Sequence, residues 1–232
     1  MKSKSLLSIG MALLCFAACK KENSVTDPPI EKSHKAEIIR DSVSYIIDGK
    51  LYTASKYSSF WKHANLQPNS KVDSIIKNAY YISGDKDSIM YSETFSIYND
   101  HQSIDFTFIK KYNKNAMTTT ILRQPNDMKD FYAIGNRNYA LDYERDNSQN
   151  GIAISLTNEG LFKTYGSDSF RTHPTLNADA HKDSKFEIIS LKANKSGLYI
   201  LEAKFNTTVF DDKKGSKSID NGYLRINLGL LK

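Results

Sequence analysis

Cysteine is nearly missing from this chain: Cys15 and Cys19 are the only two in 232 residues. Both lie near the front, so no distant pair is left to staple a fold, which must stand on its core. Tryptophan occurs once. The few glycines form no G-x-G-x-x-G and no P-loop, and no G-x-S-x-G is present, which removes the commonest nucleotide and serine-hydrolase signatures. No apolar run reaches the about 20 residues of a membrane-crossing helix. A block of one charge sign is lacking too. The net charge is +6, two of those charges being Lys2 and Lys4, and like charges meet only in pairs such as Lys110-Lys111 and Lys213-Lys214. A nucleic-acid partner calls for a basic stripe, and none is present. No repeat occurs at the periods of solenoids or propellers.

The opening MKSKSLLSIGMALLCFAACKKENS carries a positive start at Lys2 and Lys4, then a short apolar stretch over residues 6–18. That pattern is a secretory signal. Phe16-Ala17-Ala18-Cys19 resembles a bacterial lipobox, with small residues at the two positions before the cysteine, although the pattern prefers Leu where Phe16 stands. The resemblance implies cleavage after Ala18 and acylation of Cys19. Cys15 is the rival and fails because Leu14 precedes it. The plain alternative is an ordinary signal peptide cut near Ala18. Residues 19–36 are polar and charged around Pro28-Pro29, too poor in apolar surface to order themselves. They are expected to be a tether from a lipid anchor in the outer membrane. Attachment by several acyl chains is stable because each buried methylene contributes about 0.8 kcal/mol. The lysine after Cys19 lacks the Asp that marks inner-membrane retention in the enteric pattern.

Residues 37–232 have the size of one domain. Alternation of period two runs through them. SVSYIIDGKLYTAS, residues 42–55, has two β-rich segments around Asp48-Gly49, a pair suited to a type I′ hairpin turn. SETFSIYND and SIDFTFIKKY place Phe95 and Ile97, then Ile104, Phe106 and Phe108, on one side of each strand. Ile152, Ile154 and Leu156 alternate next. Tyr199, Leu201, Ala203, Phe205, Thr207 and Val209 share a face, and so do Leu224, Ile226, Leu228 and Leu230. One buried and one wet face means antiparallel sheet. The expected fold is all-β, an antiparallel two-sheet sandwich of jelly-roll type, with a calycin-like β-barrel as the alternative. Val72, Ile75, Ile76 and Ala79 fall at helical spacing and fit one short helix near 70–80, against a strand through Ile75-Ile76.

The order of these features resembles small lipoproteins of the Bacteroidota, many of them domains of unknown function. The residues that carry it are FAACKKE, the hairpin YIIDGKLYTA, and the ending FNTTVFDDKKGSKSIDNGYLRINL, with Phe205, Thr208, Ile219, Asn221 and Gly222 at matching places. Those motifs are turns and core. The resemblance implies an envelope β-domain with a binding or scaffolding role and transfers no active site.

Chemistry is sparse. DSFRTHPTLNADAHKD holds His173, Asp179, His181 and Asp183, residue types that bind zinc, but at no zinc spacing. DYERDNSQNG places Asp142, Glu144 and Asp146 alternately, as calcium loops do, but Asn147 stands where the loop needs Gly and Ala153 where it needs Glu. A polar loop is the simpler reading of each, and no metal or other cofactor is assigned. A pair of carboxylates meeting across strands leaves a hydrolase as the least supported alternative. The remaining lead is SSFWKHANLQPN, which reads as loop. Phe60, Trp61, His63 and Asn65 there can stack on a sugar ring and bond its hydroxyls; the structural alternative is that Phe60 and Trp61 plug one end of the sandwich. The expectation is thus a non-enzymatic domain, tethered to the membrane by lipid, that binds a glycan, peptide or envelope protein. The alternative is an assembly protein that pairs its sheet edges with a neighbour.

Overall fold

A computed structural model describes residues 41–66, 71–76, 79–120, 123–166, 176–213 and 215–231, with 57–66, 71–76 and 79–83 as backbone alone. The chain divides into Met1–Ile38, which lies outside the described residues, and Ile39–Lys232, the unit described below. Cys19 and its tether therefore lie outside the description.

Strands β1 (Ser42–Ile47) and β2 (Lys50–Ala54) form the first hairpin. Asp48 and Gly49 both have positive φ, 51° and 73°, as a type I′ turn requires. β3 (Lys56–Leu66) follows, then β4 (Lys71–Ile76) and β5 (Ala79–Ser83). The helix expected near 70–80 is therefore corrected. Val72, Ile75, Ile76, Tyr80 and Tyr81 favour extended backbone, and β4 pairs with β5 antiparallel, Ile75 opposite Tyr80.

β6 (Ser88–Tyr98) and β7 (Ser103–Asn113) are joined by the expected turn, in which the Asn99 side chain accepts from the backbone N–H groups of His101 and Gln102. A single helical turn, α1 (Met128–Phe131), is capped by Asp127, whose carboxylate accepts from Lys129 and Asp130 N–H. Then come β8 (Gly135–Arg137), β9 (Gly151–Thr157), β10 (Leu161–Lys163), β11 (Lys185–Ala193), β12 (Tyr199–Phe210) and β13 (Ser216–Gly229).

The strands run β2-β1-β13-β12-β10-β9-β7-β6-β3, and β11 and β8 branch from β12. Neighbours pair antiparallel. β12 makes the bend, pairing with β11 over Tyr199–Asn206 and reaching β10 only through Phe210 and Lys163. The path folds back on itself there: Phe106 and Phe108 of β7 meet Phe205 of β12 and Phe186 of β11, with ring centroids 5.3 and 5.9 Å apart. The result is an all-β sandwich in which β1 pairs with the last strand and the consecutive strands β2 and β3 stand at opposite ends of the path. Although only Ser55 separates β2 and β3 along the chain, they do not pair, so the sheet is not a closed barrel and the calycin-like alternative falls.

The predicted faces hold for most positions. Leu201, Ala203, Phe205, Thr207, Val209, Leu224 and Ile226 are all buried, and each large apolar side chain among them contributes about 1.5–3 kcal/mol. Two local features break simple alternation. Opposite Asn206 the last strand inserts an extra residue, and Asn221 takes φ 51°, so that Ile219 and Gly222 both face the core. A Cβ on Gly222 would lie 2.6 Å from three atoms of the Phe205 ring. At the far end Gly229 (φ 74°) turns the chain, and Leu230, expected on the apolar face, is 72% exposed while Leu231 packs on the core.

Candidate functional site

The outward positions of β6, β7 and β9 are rich in hydroxyls because their inward neighbours carry the apolar load. Thr94 and Ser96, Asp105 and Thr107, Ser155 and Thr157 stand on this face, and they floor a groove of about 350 Å³. The backbone of these strands is engaged in the sheet, so the groove offers side chains only. Thr94 Oγ1 and Thr107 Oγ1 are 2.8 Å apart, and Ser155 donates to Asp105 Oδ2 at 3.1 Å.

One wall is the segment between β8 and β9. It is held by its own backbone: the Asp142 carbonyl accepts from Arg145, Asp146 and Asn147 N–H, each at 3.1 Å. The Asp142 carboxylate takes Ser148 N–H and Oγ, and Asn147 Oδ1 takes Glu144 N–H. Left-handed backbone at Glu144 (φ 63°) and Asn147 (φ 51°) closes the curl. It projects Tyr143 and Glu144 over the sheet. Tyr143, Tyr165, Ala140, Met90, Ile109 and Ala153 form a second small core on this outer face, which explains why β6 and β7 are buried on both sides at one end.

The two tyrosines set the chemistry. Their rings meet edge to face at 5.2 Å. Burial, then the Glu144 charge, pushes the Tyr143 phenol up, opposed by the neighbouring Ser92, Thr107 and Thr94 hydroxyls. Burial, then Glu144, Tyr143 and Asp105, pushes Tyr165 well above the usual phenol range. Both therefore stay protonated hydrogen-bond donors at neutral pH. Lys163 lies 3.6 Å from Glu144 and 5.1 Å from the Tyr165 ring centroid. The groove is a shallow array of neutral donors and acceptors with carboxylates at Asp105 and Glu144.

The sequence candidates fall beside this groove. Phe60, Trp61, His63 and Asn65 lie in β3, an eleven-residue strand and not the loop expected, because Lys56–Leu66 pairs with β6. Their side chains are outside the description. Backbone register sets Trp61 opposite Thr94 and His63 opposite Ser92, whereas Phe60 stands opposite the core residue Phe95; Asn65 falls in an irregular stretch.

No family model, no curated protein and no solved structure matches the chain.

Function must therefore be argued from residues alone. Among the described residues no group of three or more His, Cys, Asp and Glu side chains is placed to hold a metal. His173 lies outside them. His181 is a packed histidine: Nε2 lies 2.6 Å from the Thr164 carbonyl, so Nε2 carries the proton, and Nδ1 faces Ser184 and Thr207 hydroxyls at 3.2 and 3.3 Å. Its ring lies 4.4 Å from that of Tyr139. Burial lowers its pKa, opposed by the Thr164 bond. Asp183 contributes its backbone carbonyl to Asn206.

Two further features were not legible in advance. Glu93 is 2% exposed and faces the core, its two oxygens accepting from the Tyr91 and Tyr132 hydroxyls. It ties the turn after α1 to β6. A larger groove of about 590 Å³ crosses β11, β12 and β13 past Lys185, Glu187, Lys204 and Tyr223. Charged side chains stand among its walls, Lys185 pairing with Glu187 at 2.7 Å, and its fixed donors are already spent, Asn206 on the Asp183 carbonyl and Tyr223 on Glu202.

Proposed function

We propose that this chain is a non-catalytic glycan-binding domain of the bacterial cell envelope, tethered to the outer membrane through lipid on Cys19. The observation that carries the binding reading is the hydroxyl-lined groove, in which Thr94, Thr107, Ser155, Tyr143, Tyr165 and Asp105 converge on one side of a sheet whose backbone is already paired. Polyhydroxyl ligands exchange hydrogen bonds with such groups, and a carboxylate accepts from two sugar hydroxyls at once. A peptide seeking strand addition needs a free edge, which the floor of the groove does not offer. The position of Trp61 in register with Thr94 adds the one tryptophan to the neighbourhood. The tether reading rests on the lipobox resemblance.

A glycan array probed with residues 37–232, followed by calorimetry on the hits, tests the binding. Asp105→Asn combined with Thr107→Val is expected to weaken binding at least tenfold with the melting temperature within about 3 °C, since each lost hydrogen bond to a charged or polar partner contributes about 1–2 kcal/mol. An array without a hit, or a hit indifferent to that double change, counts against the groove. Mass spectrometry of the processed chain, finding an unmodified Cys19, counts against the tether. The assembly alternative draws on β2, a path-ending strand in which Leu51 is 69% exposed. Sedimentation that shifts with concentration would favour it. A carboxylate hydrolase has the least support, because Asp105 is bonded to Ser155, Glu144 pairs with Lys163, and Glu93 is enclosed by two phenols.

A further inference from the structure

Charge in the hydroxyl groove narrows the class of sugar. We infer that it selects uncharged glycans and turns away uronic, sulfated and phosphorylated ones, an inference that rests on the glycan-binding reading above. The lining carries two carboxylates, Asp105 and Glu144, against one ammonium, Lys163, and no arginine. That ammonium is already matched, by Glu144 at 3.6 Å on one side and by the Tyr165 ring at 5.1 Å on the other. An incoming anion thus meets a net negative wall and finds, among the described lining residues, none of the bidentate donors that hold carboxylate or phosphate.

An uncharged hydroxyl meets the opposite situation. Asp105 Oδ2 is occupied by Ser155 at 3.1 Å, whereas its Oδ1 accepts no hydrogen bond from the described residues. It is open to a sugar O–H. Tyr143 and Tyr165 remain donors for the sugar oxygens. The negative field is visible in the molecule itself, since Glu144 and Asp105 both add to the burial that raises Tyr165. The floor of Ser and Thr hydroxyls, which donate or accept as required, completes a surface suited to uncharged polyols.

The experiment compares neutral oligomers of glucose, mannose, galactose and xylose with oligogalacturonate and its fully methyl-esterified form, which differs from it in charge alone. Binding to residues 37–232 is read by calorimetry at low salt. The expected result is at least a tenfold preference for the esterified over the free acid, and for the neutral oligomers over the acid. Raising ionic strength to about 1 M, where screening acts beyond about 3 Å, is expected to narrow the ratio. Glu144→Gln is expected to narrow it at least threefold with the melting temperature unchanged. Acid bound as tightly as ester overturns this inference and leaves the glycan reading standing. Failure of every sugar, charged or neutral, overturns both.

Discussion

Replacing Gly151 by alanine is expected to be among the most damaging single-methyl changes in this protein. Gly151 opens β9 with φ +145°, a conformation that residues with a Cβ rarely adopt, which costs about 1–3 kcal/mol. The added carbon would lie 1.9 Å from the Asn138 carbonyl oxygen and 2.9 Å from its carbon. Those are backbone atoms, and the same oxygen accepts from Ile152 N–H at 2.9 Å, so they have little room to retreat. Overpacking of this kind costs a further ~1–3 kcal/mol. The sum of about 2–6 kcal/mol, at about 2–4 °C per kcal/mol for a domain of this size, lowers Tm by roughly 4–24 °C. Gly160→Ala is the control. Its Cβ meets only Phe162 Cε2 at 3.5 Å, an ordinary contact, and no positive φ is involved. Differential scanning calorimetry of both variants decides the matter. A Gly151→Ala protein melting within about 2 °C of the parent, or no lower than Gly160→Ala, would refute the account of how β9 is seated.

Tyr132→Phe removes one of the two phenols on the buried Glu93 carboxylate and is expected to cost about 1.5–3 kcal/mol in urea unfolding, the range for a hydrogen bond to a charged group; an unchanged midpoint would contradict it. Asn221→Val puts a β-branched residue at φ 51° and is expected to lose about 1–3 kcal/mol, while Asn221→Gly is expected to be nearly neutral. His181 is held neutral by burial, so the unfolded chain takes up its proton first as pH falls. Its contribution is complete above the unfolded value of about 6.5 and is lost as pH drops below it toward the lowered folded value. Urea midpoints measured from about pH 7.5 down to pH 5 should therefore fall, and His181→Gln should flatten that slope.

Strand content and most facings were legible because period two is written directly into runs such as Phe95, Ile97 and Ile104, Phe106, Phe108. The Asp48-Gly49 turn was legible for the same local reason. Where the reading failed, tertiary structure had overridden a local rule. Residues 71–76 and 79–83 carry apolar spacing compatible with a helix, and hairpin pairing decided for strand. The SSFWKHAN stretch lacks clean alternation, yet β6 recruits it as β3. Leu230 left the apolar face because Gly229, one residue earlier, turns the backbone. The groove escaped notice for a different reason. Its hydroxyls are scattered over three strands and look like ordinary solvent-facing positions until the curl at Asp142 brings Tyr143 over them. Glu93 was equally silent, since an acid between Thr and Ser reads as exposed; its two phenols come from β6 and from Tyr132, far along the chain.

The pairing of β1 with β13 sets Ser42 against Arg225, and Asn227 N–H donates to Asp41 at 2.6 Å. The first hairpin to be synthesised has no sheet to join until the final strand arrives. At about 5–20 residues per second that delay is roughly 9–36 s. During it the nascent polypeptide holds no completed first layer, and loss of the stretch Ile219–Arg225 would leave the opening hairpin unpartnered. Seating of the opening hairpin thus waits on the closing strand, whereas β3, β6, β7 and β9 can pair with one another before that strand is made.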